Sequence, residues 1–184
     1  MKRRLTQALG GALIYATFGC AFAGYGIYSL AQTDLPYLLA IPLAITVIMI
    51  LALGRYQKKI DALPDDPAGA GAAERDARAR QIFTVVIFVQ IIAIVVVVRY
   101  LNSLHRPEYI APAASVIAGL HFLALARPME LPSHRIVGAL LCVLGLAALP
   151  IPSHQSWGVV VGFGAALILW GCYALRLREV LSAV

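Results

Sequence analysis

The chain has 184 residues, of which 61% are hydrophobic and 13% are charged. A soluble domain is about half apolar and about a quarter charged, so this composition excludes an ordinary soluble globular protein. The net charge of +6 comes without a basic segment interleaved with aromatic residues, so we expect no nucleic-acid partner.

Long apolar runs predict an all-α, polytopic membrane protein, a single domain over 1–184 built as a bundle of six transmembrane helices. A helix needs about 20 apolar residues to cross a hydrocarbon core of about 30 Å. The runs that come close to this length lie at about 8–31, 36–54, 81–101, 109–126, 136–151 and 156–175. None of them alternates with a period of two, which excludes strands as the spanning element.

Residues 55–80 are predicted to form a cytoplasmic loop, the one long polar segment of the chain. Its first part, 61–72, is rich in Pro, Gly and Ala, which predicts a flexible turn. Its second part, 73–80, has acidic residues four positions before basic ones, which predicts a helical extension of the third span.

The basic residues predict the orientation in the membrane. Of the 15 lysine and arginine residues, Arg99 and Arg106 are on one side of the predicted spans and the others are on the opposite side. Because cytoplasmic loops carry the excess of positive charge, both termini are predicted to be cytoplasmic. The predicted location is the bacterial inner membrane, with the lipid bilayer as the immediate partner.

Small residues recur on one face of three predicted helices. Such faces let helix backbones approach closely in lipid, so they predict either a tight bundle or contacts in a homo-oligomer. The residues are Ala12, Ala16, Gly19, Ala23 and Gly26 in the first helix, Gly138 and Gly145 in the fifth, and Gly158 and Gly162 in the sixth. Beside the first face run Tyr15, Phe18, Phe22 and Tyr25, which either line a pocket or fill a groove.

The polar groups within the apolar runs are the candidate functional residues. His121 lies on the small-residue face of the fourth helix, and Gln90 is near the middle of the third. Ionisable residues inside a membrane usually face the protein interior. His121 is therefore predicted to hydrogen-bond a neighbour such as Gln90 or a tyrosine, to form a proton- or solute-linked site, or to bind a metal or haem.

Two cysteines, Cys142 and Cys172, are predicted at a similar depth and are possible neighbours of His121. No metal-binding spacing accompanies them, so no metal and no cofactor is predicted. The remaining histidines, His105, His134 and His154, are predicted in loops or at helix ends.

Pro42 and Pro112 lie near the starts of two predicted helices. Proline inside a helix removes a hydrogen bond and kinks the chain, so these residues predict either a vestibule of loosened helix ends or ordinary caps.

The sequence contains no catalytic motif and no acidic residue within an apolar run. It therefore favours a small solute channel or carrier, either passive or proton-sensitive, with His121 and Gln90 near the path. The alternative is a non-catalytic scaffold or assembly partner that oligomerises through its Gly/Ala faces. The solute itself is not predicted.

Overall fold

A computed structural model describes residues 2–31, 36–64, 72–128, 131–149 and 154–181. These ranges contain no strand, which confirms the predicted all-helical class. The helices are α1 (Lys2–Ala31), α2 (Ala40–Asp61), α3 (Ala72–Ser103), α4 (Ile110–Ala126), α5 (Pro132–Ala148) and α6 (His154–Leu181). Short 3-10 turns at Pro36–Leu39 and Pro107–Tyr109 lead into α2 and α4.

Five of these helices are long and apolar enough to cross a membrane, and α5 is the exception. With 17 residues, α5 is about 26 Å long at about 1.5 Å per residue, a little shorter than a hydrocarbon core of about 30 Å. An integral membrane protein is therefore compatible with the structure, whereas the sixth span remains a prediction.

The segment between the second and third spans differs from the expected loop. Residues 55–61 continue α2, and residues 72–80 continue α3. The helical extension expected at 73–80 is thus present, while residues 65–71 of the expected turn lie outside the described residues. The apolar runs underestimate helix length here because hydropathy marks the part of a helix in lipid, and a helix can continue into water.

The bundle has a core of four helices. The pair α1 and α6 and the pair α4 and α5 make the most extensive contacts, and α5 and α4 also pack on α6. The two outer helices are held differently, since α2 packs mainly on α1 and α3 mainly on α4.

We call the end of the bundle that holds Lys2 and Asp61 the terminal end. There the Lys2 ammonium donates a hydrogen bond to the Asp61 carbonyl oxygen at 3.1 Å.

Glycines lie at the two closest helix crossings. A Cβ added to Gly162 of α6 would lie 2.5 Å from the Cα of Gly26 on α1. A Cβ added to Gly138 of α5 would lie 2.6 Å from the Gly119 carbonyl oxygen on α4. These distances are too short for a real Cβ, so each crossing requires the glycines that occupy it.

The other predicted small residues lie at the same interfaces. Gly19 is against Trp170, Gly158 against Ser29 and Gly145 against Pro112. Ala12, Ala16 and Ala23 are buried in α1. The small-residue faces are therefore covered by helices of the same chain.

Both prolines belong to first turns. Pro42 is the third residue of α2, and Pro112 is the third residue of α4 and is fully buried. The first turn of a helix has no internal acceptor for its N–H groups, so proline costs nothing there. Of the two interpretations of these prolines, the structure favours ordinary helix starts over a vestibule of loosened helix ends.

Candidate functional site

A cavity of about 210 Å³ lies between α1, α3 and α4. Each helix contributes residues spaced three or four apart, as expected for one face turned to a common space. The lining consists of Phe18, Ala21, Phe22 and Tyr25 from α1, Gln90 and Ile94 from α3, and Ile110, Ala111, Ala114 and Ala118 from α4. The cavity therefore extends from the middle of the bundle toward the end opposite the terminal end, and three of the four aromatic residues of the α1 stripe line it.

Gln90 provides the one side-chain amide in this apolar wall. Its side chain is 6% exposed, and it forms no hydrogen bond with any residue that the structure describes. The amide is therefore available to a polar group on a molecule in the cavity.

His121 lies just beyond the inner end of the cavity. Its ring stacks on Phe18, with centroids 6.2 Å apart, and Phe18 itself lines the cavity. Its Nδ1 atom is buried without a hydrogen-bond partner among the described residues. His121 is thus buried, as predicted, and no described hydrogen bond joins it to Gln90 or to a tyrosine.

The two predicted cysteine neighbours have other surroundings. The Cys142 thiol donates to the Val116 carbonyl at 3.7 Å, and it lies beside Gly119 at the α4–α5 crossing. Cys172 packs, partly buried, against the hydrophobic core. Neither cysteine forms a described hydrogen bond with His121, and no group of three His, Cys, Asp or Glu side chains in the described residues could hold a metal ion.

The sequence interpretation missed a second buried histidine. His134 is fully buried in the first turn of α5, and its Nδ1 atom lies 2.6 Å from the Tyr15 hydroxyl oxygen. The same hydroxyl is 3.1 Å from the Ser133 Oγ atom. Ser133 in turn accepts hydrogen bonds from the Nε and Nη2 atoms of Arg176, at 3.0 and 2.6 Å. Four polar side chains from α1, α5 and α6 therefore form one hydrogen-bonded chain.

Phe122 lies between the two histidines. Its ring centroid is 5.4 Å from that of His121 and 5.4 Å from that of His134, and both pairs are edge-to-face. Within the described residues, two buried side-chain polar atoms lack a hydrogen-bond partner, namely His121 Nδ1 and His134 Nε2. Buried polar groups are nearly always paired, so two unpaired atoms around one phenylalanine ring make this position a candidate site.

Two sequence signals could have located these residues. Pro132 occupies the first position of α5, a common helix start, and a helix that begins there places His134 in its first turn. Arg176 extends a buried stripe along α6 that includes Leu169 and Tyr173. Both residues fell outside the predicted spans, since the fifth was expected to begin at 136 and the sixth to end at 175.

Comparisons with protein families, with curated proteins and with solved structures found no match. The function is therefore argued from the geometry of the cavity and of the histidine pair.

Proposed function

We propose that this chain is an integral membrane carrier for a small, largely apolar solute, which it binds in the cavity between α1, α3 and α4. The observation that carries the proposal is the unpaired Gln90 amide in an otherwise apolar cavity of about 210 Å³. Ligand sites are mostly apolar with a few placed polar groups, and this cavity has that composition.

The dimensions and chemistry of the cavity define the class of solute. A dry protein cavity of about 150 Å³ holds one benzene molecule, so this cavity suits a molecule somewhat larger than benzene. Its lining contains no charged side chain, which disfavours an ion. The best match is a one- or two-ring molecule, or a short aliphatic one, with a single hydrogen-bonding group for Gln90.

The sparse packing of α3 favours a carrier over a static binding site. This helix packs mainly on α4 and on the turn Pro107–Tyr109, and only 6% of its most apolar window is buried. It can therefore shift without separating the four core helices, and Gln90 would move with it. Hinge-type motions of this kind open and close binding sites.

Binding of fluorinated fragments to the protein in nanodiscs tests the proposal. We would measure saturable binding by ¹⁹F NMR, using 4-fluorophenol and a panel of one- and two-ring alcohols, amines and ketones. Wild type is expected to bind part of the panel, and Ala114→Phe is expected to lose this binding because the new ring fills the cavity. The matched control is Ala124→Phe, the same change on an exposed face of α4. Saturable binding to none of the panel, or unchanged binding in Ala114→Phe, overturns the proposal.

We also infer six spans with both termini in the cytoplasm of a bacterial cell. Support comes from α5, which contacts α4 both at Gly138 against Gly119 and at Gly145 against Pro112, and so runs antiparallel to it over most of its length. The placement of Arg99 and Arg106 opposite the other basic residues supports the orientation. Reporter fusions after Asn102 and after Leu181 test it, since they are expected on opposite sides of the membrane.

The alternative function, a scaffold that oligomerises through its Gly/Ala faces, has less support. Those faces contact α1, α4, α5 or α6 of the same chain, so a second copy would have to displace a helix to reach them. Native mass spectrometry of the oligomeric state distinguishes the two functions, because the proposed carrier is complete as a monomer whereas the scaffold requires an oligomer.

A further inference from the structure

We infer that Ser133, Tyr15 and His134 form a proton-transfer chain that connects the terminal end of the bundle with His121 at the inner end of the cavity. This inference rests on the proposed function, because the protons are delivered to the solute cavity. It deepens that function by making the carrier proton-coupled. It is carried by the hydrogen-bond geometry of the chain and by the two unpaired imidazole nitrogens.

The direction of the hydrogen bonds follows from the donors. Arg176 only donates, so Ser133 Oγ accepts from it and can give its own proton to the Tyr15 oxygen. In the proposed chain the Tyr15 hydroxyl then donates to His134 Nδ1, with its oxygen 2.6 Å from that nitrogen. A neutral imidazole with an accepting Nδ1 carries its proton on Nε2. The unpaired Nε2 atom of His134 is therefore a donor.

The unpaired atom of His121 has the complementary role. Its Nδ1 atom is buried without a partner. The proposed chain requires the His121 tautomer that carries its proton on Nε2, in which Nδ1 is an acceptor. One histidine thus has a spare donor and the other a spare acceptor on either side of Phe122.

The proton-transfer chain runs from the terminal end of the bundle to the cavity. Arg176 is near the last turns of α6, and Ser133 is at the start of α5, so protons can enter from the terminal end. His121 contacts Phe18, which lines the cavity, so protons leave toward the solute. The titratable or charged groups around His134 are Tyr15 of α1, His121 of α4 and Arg176 of α6.

The transfer balances as follows. Tyr15 passes its hydroxyl proton to His134 Nδ1 and regains one from Ser133, which is reprotonated by water at the terminal end. His134 then releases the Nε2 proton to His121 Nδ1 through one water molecule beside Phe122. His121 loses its Nε2 proton to the solute or to water in the cavity. Each group has then gained and lost one proton, and Arg176 stays charged throughout. Both imidazoles now carry their proton on Nδ1, so both rings must rotate before the next proton can pass.

Imidazole proton exchange tests the chain without any solute. The protein is labelled with ¹⁵N-histidine in nanodiscs, its four histidines are assigned with single His→Gln variants, and exchange of the imidazole N–H protons with water is measured by NMR. In wild type we expect His134 protonated at Nε2, and exchange at His134 and His121 on the millisecond timescale. Tyr15→Phe is expected to slow both by at least tenfold, and Ser133→Ala to slow them similarly. The matched control is Tyr25→Phe, which alters a cavity tyrosine of α1 outside the chain.

Three results overturn the inference: a His134 proton on Nδ1, exchange as slow as that of core amides in wild type, or unchanged exchange in both Tyr15→Phe and Ser133→Ala. If Tyr15 had only a structural role, Tyr15→Phe would change stability but would not change the imidazole exchange rate relative to the Tyr25→Phe control. Fragment binding is measured on the same samples. Fragment binding without imidazole proton exchange disproves the proton-transfer chain but not the carrier. Proton exchange without fragment binding disproves the carrier but not the proton-transfer chain.

Discussion

The hydroxyl oxygen of Tyr15 lies 2.6 Å from Nδ1 of His134, although the two residues are 119 positions apart. This hydrogen bond joins the first helix to the fifth in the fully buried centre of the bundle. It brings together two aromatic residues that have no relationship in the sequence, and it holds a fully buried imidazole.

Tyr15→Phe is expected to lower the free energy of unfolding by about 1–3 kcal/mol, because it leaves the buried His134 Nδ1 without a partner. Thermal unfolding in detergent, followed by circular dichroism, measures the change. Tyr28→Phe on the same helix is the control, since that side chain is 74% exposed. Equal unfolding temperatures for the two variants would contradict the prediction.

Gly162→Ala is expected to destabilise the protein by about 1–3 kcal/mol, because its Cβ would overlap the Gly26 backbone and force α1 and α6 apart. Gly171→Ala on the same helix meets no atom within 4 Å and is expected to be neutral or slightly stabilising. The comparison of the two in the same unfolding assay separates crossing geometry from helix propensity. A neutral Gly162→Ala would show that this crossing is looser than described.

Gln90→Leu is expected to have opposite effects on stability and on binding. Replacement of an amide that has no described partner in an apolar cavity is expected to raise the unfolding temperature of the empty protein, because partial burial of a polar group without a hydrogen bond is unfavourable. Fragments with a hydrogen-bonding group are expected to bind at least fivefold more weakly. Gln81→Leu, at an exposed position of α3, provides the control for both measurements. A loss of stability together with unchanged binding would assign Gln90 a purely structural role.

Arg176→Met is expected to cost about 1.5–3 kcal/mol, the range for hydrogen bonds made by a charged group. The reason is that Arg176 donates twice to Ser133 and is only 7% exposed. Arg178→Met removes the same charge at an exposed position two residues later, and it is expected to change stability by less than about 0.5 kcal/mol. A similar loss in both variants would attribute the effect to net charge and not to the bonds with Ser133.

The helical class and the burial of His121 were predictable because they depend on local patterns. Apolar length determines which segments can span a membrane, and the alanine spacing of α4 indicates which way His121 faces. The position of the small residues also indicated where helices approach one another. Each of these properties follows from the residue pattern of a single helix.

The histidine pair was not predictable in this way, because it depends on which helices are neighbours. Tyr15 was recognised only as part of an aromatic stripe, and His134 was placed outside the fifth helix by an end assigned four residues too late. Even with the correct helix start, the contact requires α1 to lie beside α5, and helix order is not encoded in the periodicity of either helix. The same reason applies to Gln90 and His121, which no described hydrogen bond joins: Gln90 of α3 lines the cavity, whereas His121 of α4 packs against Phe18 and Phe122.

The helix on which α1 packs most extensively is α6, although four other helices lie between them along the chain. Until α6 enters the membrane, the small-residue face of α1 is exposed to lipid, and Gly26 has no Gly162 to meet. Domains fold as units once their chain is available, and here the unit is complete only after α6 has been synthesised. Closure of the bundle therefore waits for its sixth helix, and a chain that stops before residue 154 would leave the insertion machinery with the α1–α6 crossing unmade.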